Sequence, residues 1–187
     1  VNLDGEIIRA LQPIGLAETV NQMIQPIRDN ERAGFANSKR EWLFGGNAVA
    51  VGSSGWQTAN MFDQPELESF LRTQALSHAN VSHYVGYEVT EFFNSPTQVT
   101  LNASGIGKSV SLTAKYLVAC DGANSPTRKA LGVGLRDLGY DQDWLVVDVE
   151  MLKNHNLPNE VLQVCDPNRI HTHVATKDPY RRWEFIV

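Results

Sequence analysis

The 187-residue chain has few of the features that mark several large classes of protein. Its two cysteines, Cys120 and Cys165, are too few for a disulfide scaffold, and we expect buried thiols in a reducing cytoplasm. No apolar run reaches membrane-spanning length and no signal-peptide pattern is present, so we expect a soluble, cytoplasmic protein without a membrane partner. The net charge of −5, with no concentrated basic face, argues against binding to nucleic acid.

Short motifs of known chemistry are also missing. No GxGxxG strand–turn–helix occurs, and the cluster Gly105-Ile106-Gly107-Lys108-Ser109 lacks the first glycine of a P-loop and predicts a hairpin turn. His171 and His173 point the same way on a strand near Cys165, but a metal usually needs three or four convergent ligands. We therefore expect no metal site and interpret the two histidines as solvated edge residues. The sequence supports no nucleophile–His–Asp arrangement, so the catalytic residues stay unknown.

The hydrophobic pattern predicts an α/β (α+β) chain that changes to antiparallel sheet in its last third. One helix is expected after the N-cap Asp4 and should end near Gly15, and a second should begin at Gln64. Between Asn21 and Asn60 the sequence fits either short strands joined by turns or a partly mobile excursion. A β-meander follows, and then more strands. The expected strands are Val81–Val85, Val89–Phe93, Gln98–Leu101, Val110–Leu112, Trp144–Met151, Val161–Cys165, Ile170–Ala175 and Arg182–Val187.

The most informative stretch runs from Tyr116 to Gly132. Its apolar start, Tyr116–Cys120, predicts a buried strand that delivers the carboxylate of Asp121 to its C-terminal tip, where α/β sheets bind ligands. Gly122 would let a ligand approach the backbone closely. An Asp-Gly pair after a strand is also an ordinary turn, so the pair alone does not decide between the two interpretations.

A short helix should follow, because Ser125 suits an N-cap and Pro126 suits the first helical position. That helix would carry the cation of Arg128 one turn away from the carboxylate. Gln64 has a similar ambiguity, since it falls in the first turn of its helix, where free N–H groups attract phosphates, yet such residues are usually only solvated.

Taken together, these sequence motifs resemble those of the class A FAD-dependent aromatic hydroxylases, a family of flavoprotein monooxygenases. The sequence is most similar to the 3-(3-hydroxyphenyl)propionate hydroxylase-like branch. The residues that carry the resemblance are Gly55, Trp56, Met61, Phe62, Gln64, Pro65, Leu67, Glu68, Asp121, Gly122, Ser125, Arg128, Cys165-Asp166-Pro167, Arg169 and Arg181-Arg182-Trp183-Glu184-Phe185.

The resemblance implies a Rossmann-like FAD-binding domain with a β-meander, and an antiparallel sheet forming a wall of a substrate domain. It implies partial FAD-binding segments at 1–21 and 64–143 and partial substrate-binding segments at 22–63 and 144–187. Gln64 would contact FAD, Asp121 with Gly122 would lie near its ribityl and pyrophosphate part, and Arg128 would lie near the docking groove of NADH or NADPH. The implied reaction hydroxylates a small phenolic aromatic substrate with O₂.

The sequence departs from the family pattern because the GxGxxG unit and a later Gly-Asp motif are missing. We therefore expect an interior fragment of a longer enzyme, inactive by itself. The same flavin fold also serves halogenases and geranylgeranyl-type reductases, and a non-catalytic remnant that has lost FAD is a further alternative. The substrate and the choice between NADH and NADPH stay open, and a homo-oligomer is compatible with the sequence.

Overall fold

The computed structural model describes residues 2–27, 32–47, 51–153 and 156–187. The chain forms two compact units, one made of Val1–Gln74 with Asp141–Val187 and the other of Ala75–Tyr140. The mixture of helices and sheets confirms the predicted α/β (α+β) class. The sequence assigned 1–21 and 64–143 to FAD binding and 22–63 and 144–187 to substrate binding. The division into compact units does not test these roles, and the assignment stays a prediction.

Four α-helices and twelve strands lie in the described residues. The helices are α1 (Gly5–Leu11), α2 (Ala17–Met23), α3 (Gln64–Leu76) and α4 (Pro126–Ala130). The strands are β1 (Asn2–Leu3), β2 (Gln25–Pro26), β3 (Arg32–Asn37), β4 (Trp42–Asn47), β5 (Asn60–Met61), β6 (Glu88–Asn94), β7 (Val99–Gly105), β8 (Lys108–Ala114), β9 (Trp144–Glu150), β10 (Glu160–Cys165), β11 (His171–Ala175) and β12 (Tyr180–Ile186).

The first helix begins and ends where the sequence predicts. Asp4 Oδ1 accepts hydrogen bonds from the backbone N–H groups of Glu6 at 3.0 Å and Ile7 at 3.2 Å, which satisfies two donors that a helix start leaves free. A 3₁₀ turn over Gln12–Ile14 follows, and Gly15 ends it with a φ of +73°. The apolar faces of α1, α2 and α3 pack into one core, whose buried members are Ile8, Ala17, Val20, Ile24 and Leu67.

The larger unit also contains two sheets. The smaller has the order β1-β5-β2 and is pinned by Asn60, whose side-chain amide donates to the Leu3 carbonyl at 3.1 Å and the Gln57 carbonyl at 3.0 Å. The larger has the order β4-β3-β10-β11-β12-β9, with neighbours antiparallel except for the parallel pair β3 and β10. The strands β3 and β4, from the N-terminal half of the chain, therefore join the C-terminal sheet.

One face of this six-stranded sheet is buried and the other is open. Ala36, Leu162 and Val164 form the buried core of the first face. His173 also lies there, only 4% exposed, with its ring stacked on Trp183 at 5.1 Å between centroids. The interpretation of His173 as a solvated edge residue is wrong, because β11 is an inner strand with a partner on each side.

The smaller unit is built on the meander β6-β7-β8, joined by tight turns. Gly107, at the β7–β8 turn, has a φ of +67°, which confirms the hairpin turn predicted for the glycine cluster. The predicted strand Val81–Val85 is wrong, since these residues have no strand conformation. Val85 is 74% exposed, so this apolar residue is not part of a buried strand.

The strand predicted at Tyr116–Cys120 is also wrong. These residues have no regular secondary structure, and the side chains of Tyr116 and Val118 are largely exposed. A strand requires a hydrogen-bonded neighbour, and the described residues supply none to this segment. Both cysteines are free and exposed, which corrects the prediction of buried thiols. Among the described residues, no helix is long and apolar enough to cross a membrane.

Two leucines on the same face of the six-stranded sheet differ in burial, and this difference tests which positions form its core. Leu162 is 1% exposed and Leu145, which points to the same face from the edge strand β9, is 54% exposed. We expect Leu162→Ala to lower the free energy of unfolding by about 2–5 kcal/mol, because it leaves a cavity in a packed core. Leu145→Ala should cost less than about 1 kcal/mol. Urea unfolding followed by circular dichroism measures both, and equal losses would contradict the assignment of the buried core.

Candidate functional site

A cavity of about 600 Å³ opens at the N-terminal end of α3 in the larger unit. Its walls come from the start of α3 and from the strands β9 and β12 with the loop between β11 and β12. The lining residues are Phe62, Asp63, Gln64, Pro65, Glu68, Asp148, Thr176, Lys177, Tyr180 and Arg182. A helix start, a sheet face and several hydrogen-bonding side chains therefore meet around one volume.

Gln64 lies in this cavity, at the first position of the 13-residue α3. Its side-chain amide nitrogen donates to Glu68 Oε1 at 2.8 Å, one helical turn further on. This bond orients the amide, and the amide oxygen remains a potential acceptor for a ligand. The aligned peptide dipoles of α3 also give this end of the cavity a positive potential.

The loop between β11 and β12 is tied to α3 by an ion pair between Lys177 and Glu66. Glu66 is a first-turn residue of α3, so the pair fixes the helix start against the sheet. Because both side chains are partly exposed, the pair contributes little to the free energy of folding. Its effect is to hold one wall of the cavity in place.

Arg182 and Asp148 form a second ion pair across β12 and β9, inside the cavity wall. Arg182 Nε lies 2.7 Å from Asp148 Oδ1, and Nη2 lies 2.8 Å from Oδ2, which is the bidentate geometry of a strong charge-assisted pair. The hydrogen bonds and charge of Arg182 lower the pKa of Asp148, and those of Asp148 raise the pKa of Arg182. The pair therefore stays charged near neutral pH.

The neighbouring Arg181 lies on the opposite face of β12 from Arg182. Side chains alternate along a strand, so Arg181 points to the buried face and is 2% exposed. Its guanidinium donates to Asp178 Oδ1 at 3.0 Å and to Asn159 Oδ1 at 2.7 Å. Sequence reasoning missed Arg182 and Asp148 as cavity residues, although the period of two along β12 could have separated the two arginines.

In the smaller unit, Asp121 fixes the start of α4. Its Oδ1 accepts the Ser125 hydroxyl at 2.6 Å and its Oδ2 accepts the Thr127 backbone N–H at 3.0 Å. Ser125 Oγ in turn accepts the Arg128 backbone N–H at 2.9 Å, which confirms the predicted N-cap. Chiefly because of the Ser125 hydrogen bond, and then that of Thr127, the pKa of Asp121 is lowered from 3.8 to about 2.

The residues beside Asp121 leave its surroundings open. Gly122 has a φ of +80°, a conformation that favours glycine, and a Cβ built there would meet no atom within 4 Å. A ligand can therefore approach the backbone at this point. Arg128 is turned away, since its Nη1 donates to the Val133 carbonyl at 2.9 Å and so ties the end of α4 to the following chain.

Asp121 also borders a second cavity, of about 500 Å³, within the smaller unit. This cavity lies between β6, the segment before Asp121 and α4, and its other lining residues are Glu88, Val89, Thr90, Glu91, Phe92, Leu117, Val118, Ala119, Cys120, Pro126, Thr127 and Ala130. Asp121, Glu88 and Glu91 therefore place three carboxylates on a groove whose other lining residues are uncharged.

The structure places Asp121 and Gly122 just before α4 and Arg128 within it, with the Arg128 guanidinium turned to the Val133 carbonyl, whereas Gln64 belongs to the other unit. The expectation that all four bind one cofactor therefore stays a prediction. Across the described ranges, no group of three or more His, Cys, Asp or Glu side chains is arranged to hold a metal ion.

The low pKa of Asp121 has a measurable consequence. Since the folded-state pKa is depressed, the carboxylate stabilises the start of α4 at pH values above 3.8, and this stabilisation is lost as the pH falls towards about 2. We expect the Asp121 carboxyl carbon to titrate near pH 2 by NMR, and Ser125→Ala to move its midpoint up towards 3.8. Ser109→Ala, in the β7–β8 hairpin, is the control and should leave the midpoint unchanged. A midpoint that Ser125→Ala does not move would contradict the hydrogen-bonding account.

Comparisons with known proteins agree with the resemblance read from the sequence. A family model described as "FAD binding domain" matches residues 3–184. The chain is 33% identical, over 189 aligned residues, to 3-(3-hydroxy-phenyl)propionate/3-hydroxycinnamic acid hydroxylase 2 of Burkholderia vietnamiensis, covering 100% of this chain and 33% of that protein. A 30% identical relative with the name 3-(3-hydroxy-phenyl)propionate/3-hydroxycinnamic acid hydroxylase comes from Comamonas testosteroni, and the chain covers 31% of it. The chain thus spans about a third of the length of the curated relatives it matches.

Solved structures give the same fold. A ternary complex of aklavinone-11 hydroxylase with FAD and aklavinone is similar with a TM-score of 0.77 at 21% identity, covering 99% of this chain and 37% of that one. The flavin-dependent halogenase CmlS is similar with a TM-score of 0.75 at 18% identity, covering 99% and 34%. At such identities the likeness shows the fold alone, and it confirms the predicted flavoprotein architecture. Because the family model matches nearly the whole chain, the chain belongs to the FAD binding domain family.

Proposed function

We propose that the full-length protein is an FAD- and NAD(P)H-dependent monooxygenase that hydroxylates a phenolic aromatic substrate with O₂. The observation that carries the proposal is the cavity at the start of α3, because it joins Gln64, a helix N-terminus and an ionic sheet face within a member of this family. The names of the relatives support a hydroxyphenyl substrate class. The chain is 11% to 21% identical to solved structures whose names give several activities, so the fold alone does not determine the reaction.

The residues present suit FAD in their chemistry. Gln64 offers an amide beside a helix N-terminus, which suits phosphate or carbonyl oxygens, and Asp121 offers an ionised acceptor, which suits ribityl or ribose hydroxyls. Gly122 leaves the backbone open to close approach. Bound FAD would supply the electron transfer and oxygen activation that no side chain provides, while the protein orients the ring and excludes water.

We assign Arg128 to the docking of the nicotinamide cofactor. Its guanidinium has donors beyond the one that binds the Val133 carbonyl, and a guanidinium recognises phosphate well. It lies one turn from Asp121 at the start of α4.

An isotope experiment tests the reaction class. The proposed stoichiometry is one phenol, one NAD(P)H, one proton and one O₂ giving the hydroxylated phenol, NAD(P)⁺ and one water. We expect the full-length protein under ¹⁸O₂ to give products heavier by one ¹⁸O atom by mass spectrometry, and to consume NAD(P)H only with O₂ present. Halogenated products that require added halide, or reduced products formed without O₂, would instead favour the halogenase or reductase alternatives.

The cofactor residues are tested by FAD retention. We expect Asp121→Ala in the full-length protein to weaken FAD binding about tenfold, as for the loss of a charge-assisted hydrogen bond, and Gln64→Ala to weaken it less, since its amide is neutral. Asp137→Ala is the matched control, because Asp137 also accepts a backbone N–H, that of Gly139 at 2.7 Å. Flavin fluorescence during dialysis measures retention. If both variants keep FAD as tightly as the parent, Asp121 and Gln64 are only a helix cap and a helix start.

A further expectation concerns the 187-residue chain by itself. It contains no GxGxxG loop, whose backbone N–H groups normally hold the pyrophosphate of a dinucleotide. We therefore expect this polypeptide to bind FAD weakly or not at all, measured by fluorescence quenching on titration. Tight stoichiometric binding would contradict the expectation and would show that the described residues suffice.

A further inference from the structure

The open face of the six-stranded sheet carries one continuous row of side chains across all six strands. Strand register places each residue of the row directly opposite the next, so all of them point to the same face. In strand order the row is Phe44, Phe35, Gln163, Thr172, Glu184 and Val146. None of these six side chains is buried among the described residues.

The composition of this row is unusual for a sheet face that meets water. Such faces normally carry polar side chains, yet Phe35 and Phe44 stack here with ring centroids 4.4 Å apart, and Phe44 is 63% exposed. Large exposed aromatic rings on a rigid sheet mark a surface that binds something. The stacked pair forms an apolar platform at one end of the row.

The other end of the row adjoins the cavity that contains Gln64. Glu184 is two residues along β12 from Arg182, and its Oε1 lies 3.9 Å from Arg182 Nη1. Arg182, in its pair with Asp148, lines the cavity. Glu184 therefore lies at the junction of the proposed cofactor cavity and the row, on a single rigid sheet.

The hydrogen-bonding and apolar groups of the row indicate which class of ligand it can bind. An ionised Glu184 can only accept hydrogen bonds, so it suits a donating hydroxyl, and Gln163 and Thr172 can donate or accept. The phenyl platform begins three strand spacings from Glu184, about 14 Å away, which suits an apolar extension longer than one ring. None of the six side chains is cationic, and the guanidinium next to the row, that of Arg182, is already in a bidentate pair with Asp148. A carboxylate on a ligand extension that runs along the row would therefore find no cationic partner there.

We propose that this row determines substrate specificity, and that it binds a hydroxylated aromatic ring whose hydroxyl donates to Glu184 and whose uncharged extension packs on Phe35 and Phe44. The inference rests on the proposed function, because it takes the cavity beside Glu184 as the cofactor site. It goes further in the class of substrate, since it favours an alkyl-substituted phenol over the carboxylate-bearing hydroxyphenylpropionate named for the relatives.

The test measures ligand binding separately from turnover. FAD-loaded full-length protein is titrated with 3-pentylphenol and with 3-(3-hydroxyphenyl)propionate, following the flavin absorbance spectrum and, independently, isothermal titration calorimetry. We expect the alkylphenol to bind at least about tenfold more tightly than the acid, because the acid places an unpaired charge on the row. Tighter binding of the acid overturns the proposal.

Two variants and one control locate the specificity. Glu184→Gln should weaken alkylphenol binding and narrow its advantage over the acid, whereas Phe44→Ala should weaken alkylphenol binding alone; each loss should be about tenfold. Glu18→Gln, at an exposed position of α2 that lines neither cavity, should change the affinity for neither ligand. Retention of FAD in all three shows that a loss is not due to misfolding. Unchanged ligand affinities in both row variants would overturn the assignment.

These outcomes separate this inference from the proposed function. If the parent protein binds the alkylphenol in the expected order but incorporates no oxygen from O₂, the proposed reaction fails and the binding row stands. If it incorporates oxygen but prefers the acid, the reaction stands and the row is wrongly assigned.

Discussion

The parallel pairing of β3 with β10 is the interaction on which the larger unit depends. Residues about 130 positions apart meet in a continuous ladder from Arg32 opposite Glu160 to Asn37 opposite Cys165. Without this ladder, β3 and β4 would form an isolated two-stranded hairpin, which is marginally stable in water. Joined to β10, the hairpin extends a four-stranded sheet to six strands and places Phe35 beside Gln163.

The register of that pairing is fixed by close packing at the β3–β4 hairpin. A side chain at Gly34 would place its Cβ 2.4 Å from the Phe44 carbonyl oxygen, so only glycine fits where the two strands approach. Ala36, next on the same face, is fully buried. If β3 slipped by one residue along its partner strands, its side chains would exchange faces. Ala36 would then point to the open face, and the ring of Phe35 would point into the crowded site at Gly34. The same constraint therefore secures both the core and the aromatic platform.

Local rules predicted much of this structure, and the errors arose where partners are distant in sequence. Asp4 and Ser125 cap helices as expected, because a cap needs only its own neighbours. The run Tyr116–Cys120 has the composition of a buried strand, but composition does not supply a hydrogen-bonded neighbour. His173 was misjudged for the same reason, since its burial depends on the strands to either side of β11.

In the candidate site, too, the residues with a local signal were predicted and those whose partners are distant in the sequence were missed. Gln64 was singled out by the family resemblance of the residues on either side of it, which is a local signal, and it lies in a cavity. Asp148 and Arg182 gave no such signal, because their pairing depends on β9 lying next to β12, 34 positions away in the chain. The alternation of side chains then assigns Arg181 to the core and Arg182 to the open face. Of these two adjacent arginines, Arg181 is therefore part of the buried structure and Arg182 lines the cavity.

Asp121 raises the question whether a residue that caps a helix can also bind a ligand. A carboxylate has about four acceptor positions, and the hydrogen bonds from Ser125 and Thr127 use one on each oxygen. These bonds hold the side chain in one orientation, and by lowering its pKa to about 2 they keep it ionised throughout the physiological range. The remaining acceptor positions are thereby oriented before any ligand arrives, which reduces the entropy lost on binding. The structural role of Asp121 therefore does not compete with the proposed one, because the cap supplies the fixed, charged acceptor that a hydroxyl-rich cofactor requires.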